Sequence, residues 1–130
     1  MPEKQVIVTD INSGVGMTTP EPSVRHVRVL LSPLLQDWLE DFSAGYTEVP
    51  SQQQGSKHKH PDAAELWLFF AGTGRAIVGD KEIETGPGTV VYTPPDTYHH
   101  FFNTGDEPVK LYYVFVPSGP EKTVMDAEFR

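Results

Sequence analysis

The sequence predicts an all-β chain, a sandwich or small barrel of short antiparallel strands. Three observations carry this expectation. Twelve prolines and eleven glycines in 130 residues favour short strands joined by turns over long helices. Segments such as "GTVVYTPP" and "VKLYYVFVP" are rich in β-branched and aromatic residues, which suit a pleated, half-buried surface. From Lys57 onward, short apolar runs recur between turn signals, the pattern of a double-sheet or closed β architecture.

Taken in order, "QVIVTD" reads as a first strand and "NSGVGMTTPEPS", Asn12 to Ser23, as a loop. Gly14 and Gly16 do not form a phosphate loop, because no lysine follows and no helix opens there. "VRHVRVLL" reads as a strand. In "SPLLQDWLEDF", Ser32 can cap a helix with Pro33 at its first position, and Leu34, Leu35, Trp38, Leu39 and Phe42 have helical spacing. One or two helical turns are expected there. "SAGYTEVP" reads as a strand and "SQQQGS" as a turn. The strands then expected are "KHKH", "ELWLFFAG", "GRAIVG", "KEIET", "GTVVYTPP", "YHHFFNTG" and "VKLYYVFVP". Gly79-Asp80 suits a hairpin turn between "RAIV" and "KEIE". "ELWLFF" is apolar at both parities, as in a strand buried on both faces, and the tail "SGPEKTVMDAEFR" is expected to pack loosely.

The length suits one domain with one sizeable core, residues 1–130. Apolar residues at 38% and charged residues at 22% fit a soluble globular chain. The net charge of -8 repels phosphate backbones and argues against nucleic acid as a partner. The absence of cysteine excludes disulfides, thiolate zinc sites and a cysteine nucleophile. "MPEKQVIVTD" lacks the apolar run of a signal peptide, and no stretch suits a membrane span. The cytoplasm is the expected compartment.

Four of the five histidines fall in two clusters, His58/His60 and His99/His100. Residues two apart on a strand share a face, so His58 and His60 aim together while Lys57 and Lys59 turn to water. Glu65 follows and can join both imidazoles, and His99 can complete the set from a later strand. Two or three imidazoles with one carboxylate suit Mn, Fe, Co, Ni or Zn and leave room for water or substrate. By itself, "KHKH" reads first as a basic surface turn. His100 faces away from His99 and reads as a packed or surface histidine, and His26 as structural. Trp67, Phe69 and Phe101 share parity with Glu65 or His99; cavity lining and plain core packing both remain open for them. Arg25 and Arg28 could anchor a substrate carboxylate if turned inward, although an edge strand or dimer contact is the commoner place for such residues.

The chain resembles the single-domain cupins, small β-barrels with two signature motifs. The first is glycine, five residues, His-x-His, three or four residues, glutamate, six residues, glycine. This chain has His58-Lys59-His60, four residues, Glu65, six residues, Gly72, with Gln52 where the opening glycine stands and Gly55 nearby to loosen the turn. The second is glycine, five residues, Pro-x-Gly, two residues, histidine, three residues, asparagine. This chain has Gly88, "TVVYT", Pro94-Pro95-Asp96, "TY", His99, "HFF", Asn103, with Asp96 in place of glycine; aspartate tolerates turn conformations.

The resemblance implies a double-stranded β-helix, or jelly-roll barrel, with N-terminal strands and loop over residues 1–31, a two-motif metal-binding core over 52–103 and a polar tail over 118–130. It implies that His58, His60, Glu65 and His99 bind one divalent transition metal (Mn, Fe, Ni, Co or Zn), and that Asn103 is not a ligand. It implies a homodimer joined through the N-terminal strands, for which "QVIVTD" and "VRHVRVLL" are candidate edges. The expected function is a metal-dependent enzyme acting on a small oxygenated organic molecule as a dioxygenase, isomerase, decarboxylase or lyase. A non-catalytic module that binds or senses a small molecule is the alternative, because one fold hosts many functions. Tyr98, Tyr92, Tyr112 and Tyr113 are general-base candidates by chemistry alone.

Overall fold

The computed structural model describes residues 4–127. Its elements are β1 (Val15–Thr18), β2 (His26–Leu31), β3 (Ser43–Val49), β4 (Ala64–Ala71), β5 (Gly74–Val78), β6 (Lys81–Thr85), β7 (Val90–Thr93), β8 (His99–Phe102), β9 (Val109–Val116) and one short helix, α1 (Lys122–Ala127). They form a six-stranded sheet in the order β1-β2-β3-β9-β4-β7 and a three-stranded sheet in the order β6-β5-β8. The architecture is a jelly roll of two antiparallel sheets rather than one continuously closed barrel.

Strand register builds the inner face of the large sheet in three rows. Ser43, Phe115, Glu65 and Thr93 form one, in register across β3, β9, β4 and β7. Val29, Gly45, Tyr113, Trp67 and Val91 form the next, and Met17, Val27, Thr47, Leu111 and Phe69 the third. Glycine is required at position 45: an added Cβ would stand 2.0 Å from the Arg28 carbonyl oxygen and 2.2 Å from the Tyr113 hydroxyl. That gap lets Tyr113 Oη cross the sheet and donate to Arg28 O at 2.8 Å.

All four glycine positions of the two motifs adopt left-handed backbone: Gln52 (φ 64), Gly72 (φ 78), Gly88 (φ 93) and Asp96 (φ 58). The two substituted positions therefore hold a conformation that suits glycine, at some backbone cost. Gln52 Nε2 donates to Gly105 O at 2.8 Å, and Lys59 Nζ lies 3.0 Å from Asp96 Oδ1. Gly55 does not supply the turn in place of Gln52. It leaves space instead, since a Cβ there would stand 3.3 Å from Arg25 Cδ. Asn103 pins the loops at this end, its Nδ2 donating to Val49 O, Pro50 O and Glu107 O and its Oδ1 accepting from the Gly105 N–H.

Several expectations are corrected. "QVIVTD" pairs with no strand, and Val6 and Val8 are each 91% exposed. The first strand lies inside the expected loop, where flanking glycines mask the Val15, Met17 alternation. "VRHVRVLL" is not an edge, because β2 runs between β1 and β3. "SPLLQDWLEDF" makes tight turns but no helix: Ser32 O accepts from the Leu35 and Gln36 N–H groups and Ser32 Oγ from the Leu34 N–H, so the cap forms and the helix does not propagate. "ELWLFF" is buried on one face only, and Phe70 on the other face is 40% exposed, stacked on Tyr112.

The tail is the largest departure. Residues 128–130 lie outside the described residues, but Glu121 is 2% exposed and Val124 joins the core. Ser32 Oγ donates to Glu121 Oε2 at 2.6 Å, while Ser43 Oγ at 2.8 Å and the Gly119 N–H at 2.6 Å donate to Oε1. A buried carboxylate with three donors fixes the segment far more firmly than its polarity suggests. Glu121→Ala, which leaves those donors unpaired, is expected to cost roughly 2–4 kcal/mol in denaturant unfolding. A loss under about 0.5 kcal/mol, the range of an ordinary surface substitution, would contradict the role given to this carboxylate.

Candidate metal centre

His58 and His60 do not sit on a strand. The chain from Gln53 to His60 follows β8 loosely, through single bridges at Gln54↔Phe102 and His58↔His99. His58 and His99 exchange both backbone bonds, at 3.1 and 2.9 Å, so they stand directly opposite and their side chains share a face. Their ring centroids lie 4.3 Å apart. Glu65 reaches the same point from β4 in the other sheet, and one donor atom from each of His58, His60, Glu65 and His99 lies within 4.8 Å of all the others.

The hydrogen-bond partners settle the tautomers of two imidazoles. His58 Nδ1 lies 2.7 Å from Ser56 O and His99 Nδ1 lies 3.1 Å from Thr97 O. A carbonyl oxygen can only accept, so both Nδ1 atoms carry the proton. The Nε2 atoms of the two rings face each other at 3.1 Å, and an imidazole nitrogen without a proton presents a lone pair there. Glu65 Oε1 lies 3.0 Å from His99 Nε2 and 3.4 Å from His60 Nε2, yet neither Oε1 nor His60 Nε2 has an aligned hydrogen-bond partner, and both are buried. Electron-rich atoms aimed at one another fit a cation between them. Separations of 3.0 to 3.4 Å are those of neighbouring donors on one ion with bonds of about 2.0–2.2 Å. Three imidazole nitrogens and a carboxylate oxygen suit Mn, Fe, Co, Ni or Zn.

The surroundings reinforce this arrangement. Trp67 Nε1 donates to Glu65 Oε2 at 2.9 Å, which holds the carboxylate so that its other oxygen faces the imidazoles. Phe115 packs edge-on against His60 with centroids 4.9 Å apart. Burial, and then the neighbouring His99, push the His58 imidazole down to about 4, so it stays neutral, as a ligand must. Burial pushes the Glu65 carboxyl up, but His60 and His99 beside it pull harder and bring it down to about 2.

A cavity of about 270 Å³ opens on the cluster, with Arg25, Thr47, Tyr113 and Glu121 in its wall; a smaller one of about 40 Å³ adjoins it at Trp67, His99 and Phe101. Phe69 lines neither and packs on Trp67 and Phe101 as core. Arg25 turns into both cavities, whereas Arg28 turns out and donates from Nη1 to Ser13 O at 3.3 Å. His100 pairs with Gln54 Oε1 at 2.9 Å, and His26 with Thr18 Oγ1 at 2.9 Å. Among the general-base candidates, Tyr92 and Tyr112 lie on the outer face of the sheet, and Tyr98 stands outside under Lys57 and Lys59. Tyr113 borders the cavity, but its hydroxyl is committed to Arg28 O and burial pushes its pKa up. Sequence reasoning missed Glu121 as a wall residue and the Trp67 indole as the donor that orients Glu65.

The ligand assignment predicts about one divalent metal per chain by elemental analysis, with retention lost in His58→Ala and Glu65→Ala. Trp67→Phe keeps the ring and removes the donor, and it is expected to weaken metal binding about 10- to 100-fold. Intact protein that holds no metal under any loading condition would contradict the assignment. In metal-free protein, His58 has a folded pKa of about 4 against an ordinary 6.5, so the unfolded chain binds more protons between those values. Stability is therefore expected to fall as pH drops from 6.5 towards 4, by at most about 3 kcal/mol. The depressed Glu65 extends the loss below 4.5 towards 2. Chelator-treated protein unfolded across this range should show the decline, and His58→Gln should flatten its upper part; stability that rises on acidification would refute it.

Comparison with known proteins agrees with this fold. A family model described as a cupin domain matches residues 45–115. A glucose-6-phosphate isomerase of Thermococcus kodakarensis is 43% identical over 60 residues, which cover 42% of this chain and only 32% of that enzyme. An uncharacterized protein of Methanocaldococcus jannaschii is 26% identical over 107 residues, 82% of this chain and 83% of that protein. Among solved structures, a predicted oxalate decarboxylase of Thermotoga maritima superposes with TM-score 0.75 at 17% identity, over 86% of this chain and 100% of that one. The polyketide cyclase of Streptomyces resistomycificus gives 0.73 at 18%, over 89% and 82%. These likenesses support the fold, and the family match spans more than half of the sequence: the chain belongs to the cupin domain family.

Proposed function

We propose that this chain is a metal-dependent cupin enzyme acting on a small oxygenated organic molecule. The observation that carries the reading is the convergent His58, His60, Glu65, His99 donor set, half-wrapped in apolar side chains and open to a cavity of about 270 Å³. A divalent ion held there supplies Lewis-acid polarisation of a carbonyl or hydroxyl oxygen, or, as iron, activation of dioxygen. The chain's own part is to keep the His58 imidazole neutral, to aim Glu65 through the Trp67 indole, and to shield one side with Phe115. Of the four reaction types that the fold accommodates, isomerisation draws support from the stretch shared with glucose-6-phosphate isomerase.

A binding or sensing module is the second reading, and one observation favours it. None of Tyr92, Tyr98, Tyr112 and Tyr113 presents a free hydroxyl to the cavity, so proton transfer has no tyrosine to use. We also propose pairing with a second copy: β1 forms one margin of the large sheet, and an uncovered edge invites a strand partner.

Zinc-, manganese- and iron-loaded protein should be screened for turnover of small hydroxy and keto acids and sugar phosphates, with oxygen uptake followed in parallel. Isomerase-type turnover is expected to persist with zinc in the absence of oxygen. Oxygen consumption that requires iron would assign a dioxygenase, and binding without turnover across the panel would assign the module. Sedimentation is expected to give a dimer, and a clean monomer would refute the pairing.

A further inference from the structure

Arg25 is the one arginine among the described residues whose side chain has no protein partner. Arg75 pairs with Glu82 at 2.6 Å, and Arg28 donates to a backbone carbonyl. Arg25 has neither a side-chain hydrogen bond nor an ion pair among the described residues, although its Nε is buried. Its placement is firm. The Arg25 N–H donates to Thr19 Oγ1 at 2.8 Å, and the Thr19 N–H donates to Arg25 O at 2.9 Å. The side chain then runs over Gly55, where a Cβ would crowd it, into the wall shared by both cavities at the ligand cluster.

A guanidinium stays charged and offers five N–H donors in a planar fork. Arg25 is part-buried, and withdrawing its Nε from water without a partner is costly. Glu65, the acidic group whose charge it feels, accepts from the Trp67 indole at Oε2 and points Oε1 at the His60 and His99 rings. The chain as a whole carries a net charge of -8, so its general field repels anions and only a local cation can draw one in. A cavity of about 270 Å³ has room for a small acid.

We propose that Arg25 is the anion-recognition residue of this site: the molecule presented to the ligand cluster carries a carboxylate or phosphate that takes the unused Arg25 donors. The inference rests on the proposed function for the cluster end of that molecule. It deepens that reading by selecting organic acids and sugar phosphates over neutral diols and catechols.

Calorimetric titration of malate, glucose 6-phosphate and glucose into zinc-loaded and chelator-treated protein tests it, with zinc content measured alongside. Wild type is expected to bind malate or glucose 6-phosphate and not glucose; which of the two binds separates carboxylate from phosphate. Arg25→Gln should weaken that binding by about tenfold or more, the value of one charged hydrogen bond, with zinc content unchanged. Arg25→Lys keeps the charge but loses the fork, and it should fall between the two. Any other order of affinities overturns the proposal, as does wild type that binds neither anion in either form. If no preparation retains zinc but anion binding still follows Arg25, the anion site stands and the metal reading falls alone.

Discussion

The structure turns on the convergence of four ligand-type atoms on one point. His58 and His99 each donate an Nδ1 proton to a backbone carbonyl, which turns their two Nε2 atoms face to face at 3.1 Å. Glu65 brings a carboxylate oxygen to the same point, and His60 brings a third ring. Water would relieve such a cluster by hydration, but these groups are largely withdrawn from it. A positive charge at its centre would relieve the arrangement, and a divalent cation could answer all four donors together.

The two sheets exist in a form that enforces this meeting. His99 comes from the small sheet, Glu65 from the large one, and the His58–His60 segment bridges them by pairing with β8 before the chain enters β4. Because His58 and His99 form a directly opposed pair, a one-residue slip would turn one ring away. The left-handed residues Gln52 and Asp96 bracket the segment, and the Asp96 N–H donates to His60 O. The Trp67 indole and the rows of inward side chains make the centre part of the core, so folding and donor geometry share one set of contacts.

Much of the site was legible because it is encoded in spacing. His58, His60, Glu65 and His99 stand at motif intervals, and the turn positions between them are forced, so four side chains far apart in sequence could be named together. The strands from Ala64 onward were legible for the same reason that they fold, alternation against one core. Residues whose role depends on a distant partner were not. Glu121 in a polar tail looks like any solvated glutamate; only Ser32 and Ser43, 89 and 78 residues away, make it a buried anchor. Arg25 and Arg28 looked alike, although parity with Val27 and Val29 turns only Arg25 inward. "QVIVTD" has the composition of a strand and pairs with none among the described residues, while β1 follows Gly14, contains Gly16 and reads as loop.

The most direct test of the central claim is nitrogen-15 NMR of the imidazoles as zinc is added to chelator-treated protein. The Nε2 signals of His58, His60 and His99 are expected to move together to metal-bound positions while His58 and His99 keep their Nδ1 protons and His26 and His100 do not respond. Zinc that left the first three rings unmoved, or that bound through Nδ1 of His58 or His99, would contradict it.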